Sequence, residues 1–251
     1  MKPKDVKELY DAAYAASFND KFITSKLAAR DAEFELKLLE DLLKGDPEWL
    51  DVACGTGYFL SHFPAIRRTG CDISGAMLDR ARAADSSIVL IEHDMREPQL
   101  SWNDRFGLVS CMWFAYTLVD TMAEFDQVVA NLAAWTSPAG TCFMPICDPW
   151  QISGVDIPYR AETIFPGTVN ITGILWNYVE DNGAKRHTHL VTPQLDYIAQ
   201  QFGRHFENIE IVRYHQPRQG DGLFRYFRRD DSRNNRPALI ATKKRTRDGS
   251  R

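Results

Sequence analysis

Short apolar runs alternate with helical segments through the first 146 residues, and this alternation constrains the fold more than any other feature. Apolar strands are predicted at residues 49–53, 69–73, 88–92, 106–112 and 141–146. The chain between them carries helical signals, among them Ser74 as an N-cap, and the turn-forming residues 137–140 precede the fifth strand. Strands that alternate with helices of this kind indicate an α/β, Rossmann-like fold with a doubly wound, mainly parallel sheet.

Two further segments are predicted to cover this sheet. Residues 4–44 show helical periodicity and are predicted to form an N-terminal helical cap. An Asn-Gly signal within residues 180–183 separates β-type runs at 169–179 and 184–191. This pattern predicts an antiparallel hairpin, which we expect to act as a lid.

The chain after the hairpin is predicted to return to the main sheet. Thr192 is expected to cap a helix that begins at Pro193, and strands at 209–214 and 238–242 bring the main sheet to seven. We therefore expect one domain over residues 1–251. Its predicted parts are a helical cap at 1–45, a core at 46–149, a hairpin lid insertion at 150–192, a completion of the core at 193–245 and a tail at 246–251.

Composition narrows the class of protein. The chain is 44% hydrophobic and 25% charged, which is typical of a folded protein, and it holds no apolar run of about 18 residues that could span a membrane. The N-terminus shows no apolar signal-peptide core. Four of the five cysteines, Cys54, Cys71, Cys111 and Cys142, lie in or beside apolar runs. This placement predicts buried thiols in a reducing compartment, and we expect a cytoplasmic protein.

The charge is distributed unevenly along the chain. The net charge is −4, but the segment from Arg213 to the C-terminus holds 12 basic and 4 acidic residues and carries +8, which leaves −12 for the remainder. Such a basic segment indicates a nucleic-acid face, a site for an anionic substrate group or solvated surface. Solvated surface is the interpretation that we favour.

A glycine turn after the first strand is the most informative motif. The run from Leu50 to Tyr58 ends an apolar strand in Gly55-Thr56-Gly57, a turn that lets a ligand approach the backbone closely. A dinucleotide fingerprint requires a third glycine at position 60, where Leu60 stands. The motif therefore disfavours pyrophosphate binding, although a nicotinamide-dependent dehydrogenase remains an alternative.

Acidic residues follow the next two strands. Asp72 lies 21 residues after Asp51, at a position where a carboxylate accepts from both hydroxyls of a ribose. Asp94 ends the third strand and suits an exocyclic amine, and the backbone of Met95 suits the edge of an adenine ring. Together these residues predict a nucleoside site.

The combination of Asp-x-x-x-Gly-x-Gly, the ribose acid and the Asp-Met pair resembles the class I S-adenosylmethionine-dependent methyltransferases over about residues 10–146. The resemblance implies that S-adenosylmethionine is the cofactor, that S-adenosylhomocysteine is the product and that Met77 covers the adenine. The cofactor-binding residues that it implies are Tyr10, Asp51, Ala53, Gly55, Gly57, Asp72, Ile73, Met77, Asp94 and Met95.

Within that family the chain is most similar to small-molecule enzymes, notably the amino-sugar N-methyltransferases. The similarity lies in Leu9-Tyr10-Asp11, in the glycine turn, in Asp94-Met95-Arg96, in Cys111-Met112 and in Asp148-Pro149-Trp150. In those relatives the Tyr-Asp segment closes over the cofactor. The loop after the fourth strand differs, because it reads Trp113-Phe114-Ala115-Tyr116-Thr117 where those enzymes carry small residues and a histidine. We therefore expect a flatter or more apolar acceptor, contacted by Trp113, Phe114, Tyr116 and Trp150.

These observations predict a methyltransferase that acts by in-line transfer to a nitrogen or oxygen of a small molecule, in metabolite or natural-product methylation. The catalytic residue is not identified, and the candidate bases are Asp148, His215 and Asp120. No metal site is predicted, since His187 and His189 are expected on a solvated strand face without a carboxylate or cysteine at ligand spacing.

Two alternatives to a small-molecule enzyme stay open at this stage. One is a catalytically silent protein that binds S-adenosylmethionine. The other, which the acidic body disfavours, is a nucleic-acid methyltransferase that uses the basic C-terminal segment. The expected partner is the small-molecule acceptor, with no membrane, and a homodimer remains open.

Overall fold

A seven-stranded sheet organises the chain, and the computed structural model describes residues 1–25, 28–147, 172–179, 186–215 and 235–245. The strands of this sheet are β1 (Trp49–Val52), β2 (Arg68–Asp72), β3 (Val89–Glu92), β4 (Phe106–Ser110), β5 (Thr136–Pro145), β8 (Phe206–His215) and β9 (Asn235–Lys244). They lie in the order β3-β2-β1-β4-β5-β9-β8, and β9 alone runs against the others. The predicted seven-stranded, mainly parallel sheet is confirmed.

Helices cover both faces of this sheet. They are α1 (Pro3–Leu9), α2 (Ala12–Phe18), α3 (Ala29–Leu42), α4 (Tyr58–Ser61), α5 (Gly75–Ala84), α6 (Met122–Trp135) and α7 (Leu195–Gly203). One core cluster joins α6 and α7 to the sheet, and a second joins α3, α4 and α5 to its other face. Each fully buried aliphatic or aromatic side chain contributes about 1.5–3 kcal/mol to folding. The packing confirms the doubly wound arrangement.

The predicted antiparallel hairpin is present as a separate two-stranded sheet. It pairs β6 (Gly173–Val179) with β7 (Arg186–Pro193). The predicted start of the hairpin at 169–171 and its turn at 180–183 lie outside the described residues. Those parts of the prediction therefore stay untested.

The helix after the hairpin begins later than the sequence predicts. Thr192 and Pro193 belong to β7, and Gln194 is the N-cap of α7. Thr192 is fully buried and its Oγ1 accepts from Trp176 Nε1 at 2.8 Å, so its hydroxyl holds the hairpin together instead of capping a helix. The prediction of a cap at Thr192 was wrong.

The N-terminal cap is helical but not continuous over 4–44. Asp11 adopts an extended conformation, and its Oδ1 accepts from the Tyr14 N–H at 2.8 Å, which ends α1 and starts α2. A π-helical turn, Asn19–Ile23, then follows α2. These bends direct Tyr10, Phe18 and Ile23 toward one cavity.

Two local predictions in the core have different outcomes. Ser74 is the N-cap of α5, as predicted, since its Oγ accepts from the Met77 N–H at 3.2 Å. The turn predicted at 137–140 lies inside β5 as a bulge. Phe106 pairs with Thr136 and Leu108 with Thr141, so the intervening residues leave the regular pairing.

All five cysteines are buried, free thiols. Burial raises the pKa of Cys54, Cys71, Cys111 and Cys142, which keeps these thiols protonated and poorly nucleophilic. Within the described ranges, none of the helices is long and apolar enough to cross a membrane.

Candidate functional site

A cavity of about 220 Å³ lies at the carboxyl ends of the central strands. The segments that follow β1, β2, β3 and β4 form its floor, and α1, the π-helical turn and the hairpin supply further walls. The carboxyl edge is where open α/β sheets bind their ligands. Eight of the ten residues predicted to bind the cofactor line this cavity: Tyr10, Ala53, Gly55, Asp72, Ile73, Met77, Asp94 and Met95.

The glycine turn shapes the cavity through a left-handed backbone. Ala53, Gly55 and Gly57 have φ values of 55°, 56° and 70°. A Cβ at Gly55 would meet no protein atom within 4 Å, so this residue leaves open space where it lines the cavity. A Cβ at Gly57 would lie 3.0 Å from the Ala81 Cβ. Gly57 therefore allows α4 to pack on α5, and it does not line the cavity.

Asp72 is held rigidly at the end of β2. Its Oδ2 accepts from the Gly55 N–H at 2.9 Å and its Oδ1 from the Ser74 N–H at 2.8 Å. Burial raises the pKa of this carboxyl to about 6, and the backbone hydrogen bonds partly oppose that rise. The two hydrogen bonds join the glycine turn to the helix that carries Met77 and fix the direction of the carboxylate.

Asp51 lies beneath the cavity instead of facing it. Its Oδ1 accepts from Ser110 Oγ at 2.6 Å, and the same hydroxyl oxygen accepts from Trp49 Nε1 at 2.8 Å. Asp51 is not among the lining residues. Burial raises its pKa to about 7, and the charges of Asp72 and Glu35 raise it further. Its predicted contact with the cofactor stays a prediction.

The raised pKa of Asp51 predicts a pH-dependent stability. The folded-state pKa of about 7 exceeds the usual value of 3.8, so this group stabilises the fold fully below about pH 4, and that contribution is lost as the pH rises through 7. Between pH 5 and 8 we expect the free energy of unfolding of the wild type to fall by more than that of Asp51→Asn, by up to about 3 kcal/mol. Urea denaturation across this range measures the difference. Parallel pH profiles for the two proteins would contradict the assignment.

Asp94 is oriented by a neighbouring guanidinium. Arg96 Nε donates to Asp94 Oδ1 at 2.7 Å and Arg96 Nη2 to Asp94 Oδ2 at 2.8 Å, a two-point geometry that fixes the carboxylate plane. Arg96 Nη1 donates to the Met1 carbonyl oxygen at 3.1 Å. The Met95 carbonyl accepts from Asn131 Nδ2 at 2.9 Å, so this oxygen is held by α6.

The loop after β4 places two aromatic residues on the cavity. Trp113 and Phe114 are consecutive left-handed residues with φ values of 49° and 61°. Both line the cavity, and the Trp113 ring stacks on Phe59 with centroids 6.4 Å apart. Left-handed non-glycine residues cost about 1–3 kcal/mol each, and such strain is common at functional sites.

The other two residues predicted to contact the acceptor are Tyr116 and Trp150. Tyr116 lies fully inside the core, where its hydroxyl oxygen accepts from the Cys147 N–H at 2.8 Å, and it does not line the cavity. This placement supports a structural role for Tyr116, and its predicted contact with the acceptor stays a prediction. Trp150 lies outside the described residues.

Of the three candidate bases, the structure describes the side chain of Asp120. Asp120 lies 3.9 Å from the N-terminal ammonium and 3.6 Å from His189 Nε2, and it is not a lining residue. His215 is the last residue of β8, the outermost strand, where it pairs with Asn235. Asp148 lies outside the described residues. The assignment of Asp120 as a base therefore stays a prediction, although it is not among the described residues that line the cavity.

The sequence interpretation did not predict that His187 lines the cavity. This residue was expected on a solvated face with His189, yet its side chain is only 6% exposed and lines the cavity. The alternation of β7 breaks at His189, whose φ is 59°, so the two histidines have different surroundings. A hydrogen bond of 2.9 Å joins His187 Nε2 to the Tyr14 hydroxyl.

Asn19 is a second contributor to the site that the sequence did not reveal. Its Oδ1 accepts from Thr56 Oγ1, which ties the π-helical turn to the glycine turn. This contact depends on tertiary packing, since Thr56 belongs to the glycine turn but Asn19 belongs to no motif that the sequence analysis identified. Among the described residues, no group of three or more His, Cys, Asp or Glu side chains is arranged to hold a metal ion.

The part of the chain that forms most of this cavity is similar in sequence to known methyltransferases. Residues 50–140 match a family described as methyltransferase domain. The chain is 31% identical over 144 residues to the dTDP-3-amino-3,6-dideoxy-alpha-D-glucopyranose N,N-dimethyltransferase of Streptomyces fradiae, covering 56% of this chain and 54% of that one. It is 27% identical over 148 residues to the dTDP-4-amino-2,3,4,6-tetradeoxy-D-glucose N,N-dimethyltransferase of Saccharopolyspora spinosa, covering 58% and 55%. The chain thus spans about half the length of these relatives.

Among solved structures, the fold is similar to that of a SAM-bound amino pentose methyltransferase from Micromonospora echinaspora. That similarity has a TM-score of 0.56 at 17% identity and covers 92% of this chain and 96% of that one. At this level of identity the likeness shows the fold.

Proposed function

We propose that this chain, whose residues 50–140 match a methyltransferase domain, transfers a methyl group from S-adenosylmethionine to a small molecule and releases S-adenosylhomocysteine. One observation supports the proposal most strongly: eight of the ten residues predicted to bind the cofactor line one cavity, which aromatic residues of the hairpin also line. A dehydrogenase is disfavoured by Leu60, which is fully buried where a dinucleotide fingerprint requires glycine.

The residues of the cavity fit the proposed cofactor. Asp72 would hold the ribose hydroxyls, Asp94 and Met95 would hold the adenine, and Gly55 leaves space for the methionine portion. The two carboxylates also suit a cationic ligand. When bound, S-adenosylmethionine supplies a methyl group on a sulfonium, which is a good leaving group. The chain then needs chiefly to align the acceptor and to exclude water, and positioning of this kind contributes about 7–11 kcal/mol.

The acceptor that we propose is a small amine with an apolar face. The relatives in sequence are named as N,N-dimethyltransferases of amino sugars, which supports nitrogen as the reacting atom. Aromatic side chains from the β4 loop and from the hairpin surround the cavity here, including Trp113, Phe114, Trp176 and Tyr178. Their faces stabilise the positive charge that moves from sulfur to nitrogen.

The described part of the basic C-terminal segment favours a structural role over a nucleic-acid contact. Lys244 Nζ donates to the carbonyl oxygens of Ala134 and Thr136 at 2.9 and 2.7 Å, and Arg245 Nε donates to the Gly203 carbonyl at 3.1 Å. Because β9 runs against its neighbours, its end lies at the edge of the sheet opposite the cavity. These two cations are therefore distant from the proposed chemistry.

A methyl-transfer assay tests the proposed function. Purified protein is incubated with methyl-labelled S-adenosylmethionine and, separately, dTDP-3-amino-3,6-dideoxy-α-D-glucopyranose, a panel of primary aryl and alkyl amines, a panel of phenols, and transfer RNA. We expect label in at least one small amine and none in RNA. Label in RNA alone would support the nucleic-acid alternative. Cofactor binding without transfer to any acceptor would support the silent binding protein.

A further inference from the structure

Arg96 is a buried cation in the loop that follows β3. It lines the cavity together with Asp94 and Met95, the two residues that the family motifs assign to the adenine. The side chain of Arg96 is 8% exposed and that of Asp94 is 16% exposed. Because a cation buried to this extent loses most of its hydration, it is stable only where protein groups hold it in a fixed geometry.

Two further segments hold the guanidinium at its Nη1 end. Arg96 Nη1 donates to the Met1 carbonyl oxygen, ahead of α1, at 3.1 Å. The same nitrogen lies 3.7 Å from Glu124 Oε2 of α6, and this oxygen accepts from the Asp120 N–H at 2.7 Å. A guanidinium is planar, so fixing one end fixes the direction of the Nε–Nη2 edge, which faces Asp94.

The two carboxylate oxygens of Asp94 are used unequally. Oδ1 accepts from the Arg96 backbone N–H at 3.0 Å and from Arg96 Nε at 2.7 Å. Oδ2 accepts from Arg96 Nη2 at 2.8 Å and, among the described residues, from no other group. Each oxygen of a carboxylate has about two acceptor sites. Oδ2 is therefore the oxygen with capacity for a further donor on the cavity.

We propose that Arg96 is a positioning residue that fixes the Asp94 carboxylate so that Oδ2 accepts from the 6-amino group of the adenine. The inference rests on the proposed function and adds to it the residue that determines base specificity. Adenine carries a donor at position 6, whereas hypoxanthine carries an oxygen there. A carboxylate that cannot turn sets Oδ2 against that oxygen, and two acceptors repel each other.

Lysine at position 96 separates the geometry from the charge. Its ammonium is a point charge on a flexible stem, so it keeps the ion pair with Asp94 without fixing the carboxylate plane. Arg96→Lys is therefore expected to weaken the recognition of the 6-amino group. A residue that only supports the fold would change the affinity for both purines by the same factor.

The first experiment compares two ligands that differ in the purine ring. Calorimetric titration with S-adenosylhomocysteine and with S-inosylhomocysteine, which carries hypoxanthine, gives both dissociation constants. We expect the wild type to prefer S-adenosylhomocysteine about 100-fold, the range of a hydrogen bond to a charged group. In Arg96→Lys we expect this preference to fall to about tenfold or less, through weaker binding of S-adenosylhomocysteine. The melting temperature of each variant is measured alongside.

The matched control is Arg82→Lys. Arg82 lies on α5, its side chain is 55% exposed, and its Nη1 pairs with Asp79 at 2.7 Å on the surface. We expect the wild-type preference in this variant. Equal losses of affinity for both ligands in Arg96→Lys would overturn the positioning role. Equal affinities of the wild type for both ligands would overturn it too, while the proposed methyl transfer would stand. A wild type that binds neither ligand would overturn the proposed function and this role with it.

A second variant tests the same geometry without changing the arginine. An asparagine in place of Asp94 offers one acceptor and one donor. Because two N–H groups of Arg96 meet at the Oδ1 position, we expect the amide oxygen there and the amide nitrogen at the Oδ2 position. That nitrogen would donate to the oxygen of hypoxanthine. Asp94→Asn is therefore expected to bind S-inosylhomocysteine at least as tightly as S-adenosylhomocysteine. Retention of the wild-type preference in this variant would overturn the assignment of Oδ2 to the 6-amino group.

Discussion

Asp72→Ala is expected to weaken the binding of S-adenosylmethionine at least about 100-fold. The carboxylate that would receive the ribose hydroxyls is removed, and the Gly55 and Ser74 N–H groups lose the acceptor that holds the glycine turn against α5. Hydrogen bonds to charged groups contribute about 1.5–3 kcal/mol each, so loss of two of them corresponds to this change in affinity. Equilibrium dialysis with labelled S-adenosylmethionine measures it.

Asp79→Ala is the matched control for this prediction. Asp79 lies on α5, its side chain is 77% exposed, and its ion pair with Arg82 is on the surface. The variant removes the same charge at a distance from the cavity, and we expect wild-type affinity. Equal dissociation constants for Asp72→Ala and the wild type would show that the carboxylate at the end of β2 does not hold the cofactor.

Gly55→Ala is expected to weaken cofactor binding about tenfold or more while it costs the fold only about 1 kcal/mol. The cost to the fold arises from placing an alanine in the left-handed conformation. A steric clash does not add to it, because no protein atom lies within 4 Å of the added methyl group. The binding cost arises because the methyl group occupies space that the ligand requires, and overpacking of this kind costs about 1–3 kcal/mol.

Gly57→Ala separates packing from binding within the same turn. Its added methyl would lie 3.0 Å from the Ala81 Cβ, so the free energy of unfolding is expected to fall by more than in Gly55→Ala. Calorimetric titration and thermal unfolding of both variants give the two quantities. An affinity in Gly55→Ala as high as that of the wild type would contradict the position of the ligand beside this residue.

The parts of the site that could be predicted from the sequence are those that depend on strand ends. Asp72 ends β2, while the glycine turn and Asp94 follow shortly after the ends of β1 and β3, and parallel strands bring their carboxyl ends to one edge. The positions of these residues at strand ends were therefore enough to predict that they lie along one edge of the sheet. The antiparallel hairpin could also be predicted from the sequence, because the runs on either side of its turn signal are of β type and show no helical periodicity.

The parts that could not be predicted depend on tertiary packing. Tyr116 follows a strand end as Phe114 does, but the 3₁₀ turn Ala115–Thr117 directs it into the core. His187 and His189 alternate like residues on one strand face, yet the left-handed backbone at His189 gives them different surroundings. The break between α1 and α2 could have been predicted from the sequence, because aspartate, here Asp11, is a common residue at the N-cap of a helix.

Calorimetric titration of the purified protein with S-adenosylhomocysteine, in the presence and absence of excess NAD⁺, tests whether the cavity binds S-adenosylmethionine. We expect one binding site per chain for S-adenosylhomocysteine, with an affinity that NAD⁺ does not change. Absence of binding, or displacement of S-adenosylhomocysteine by NAD⁺, would contradict the assignment of this cavity to S-adenosylmethionine.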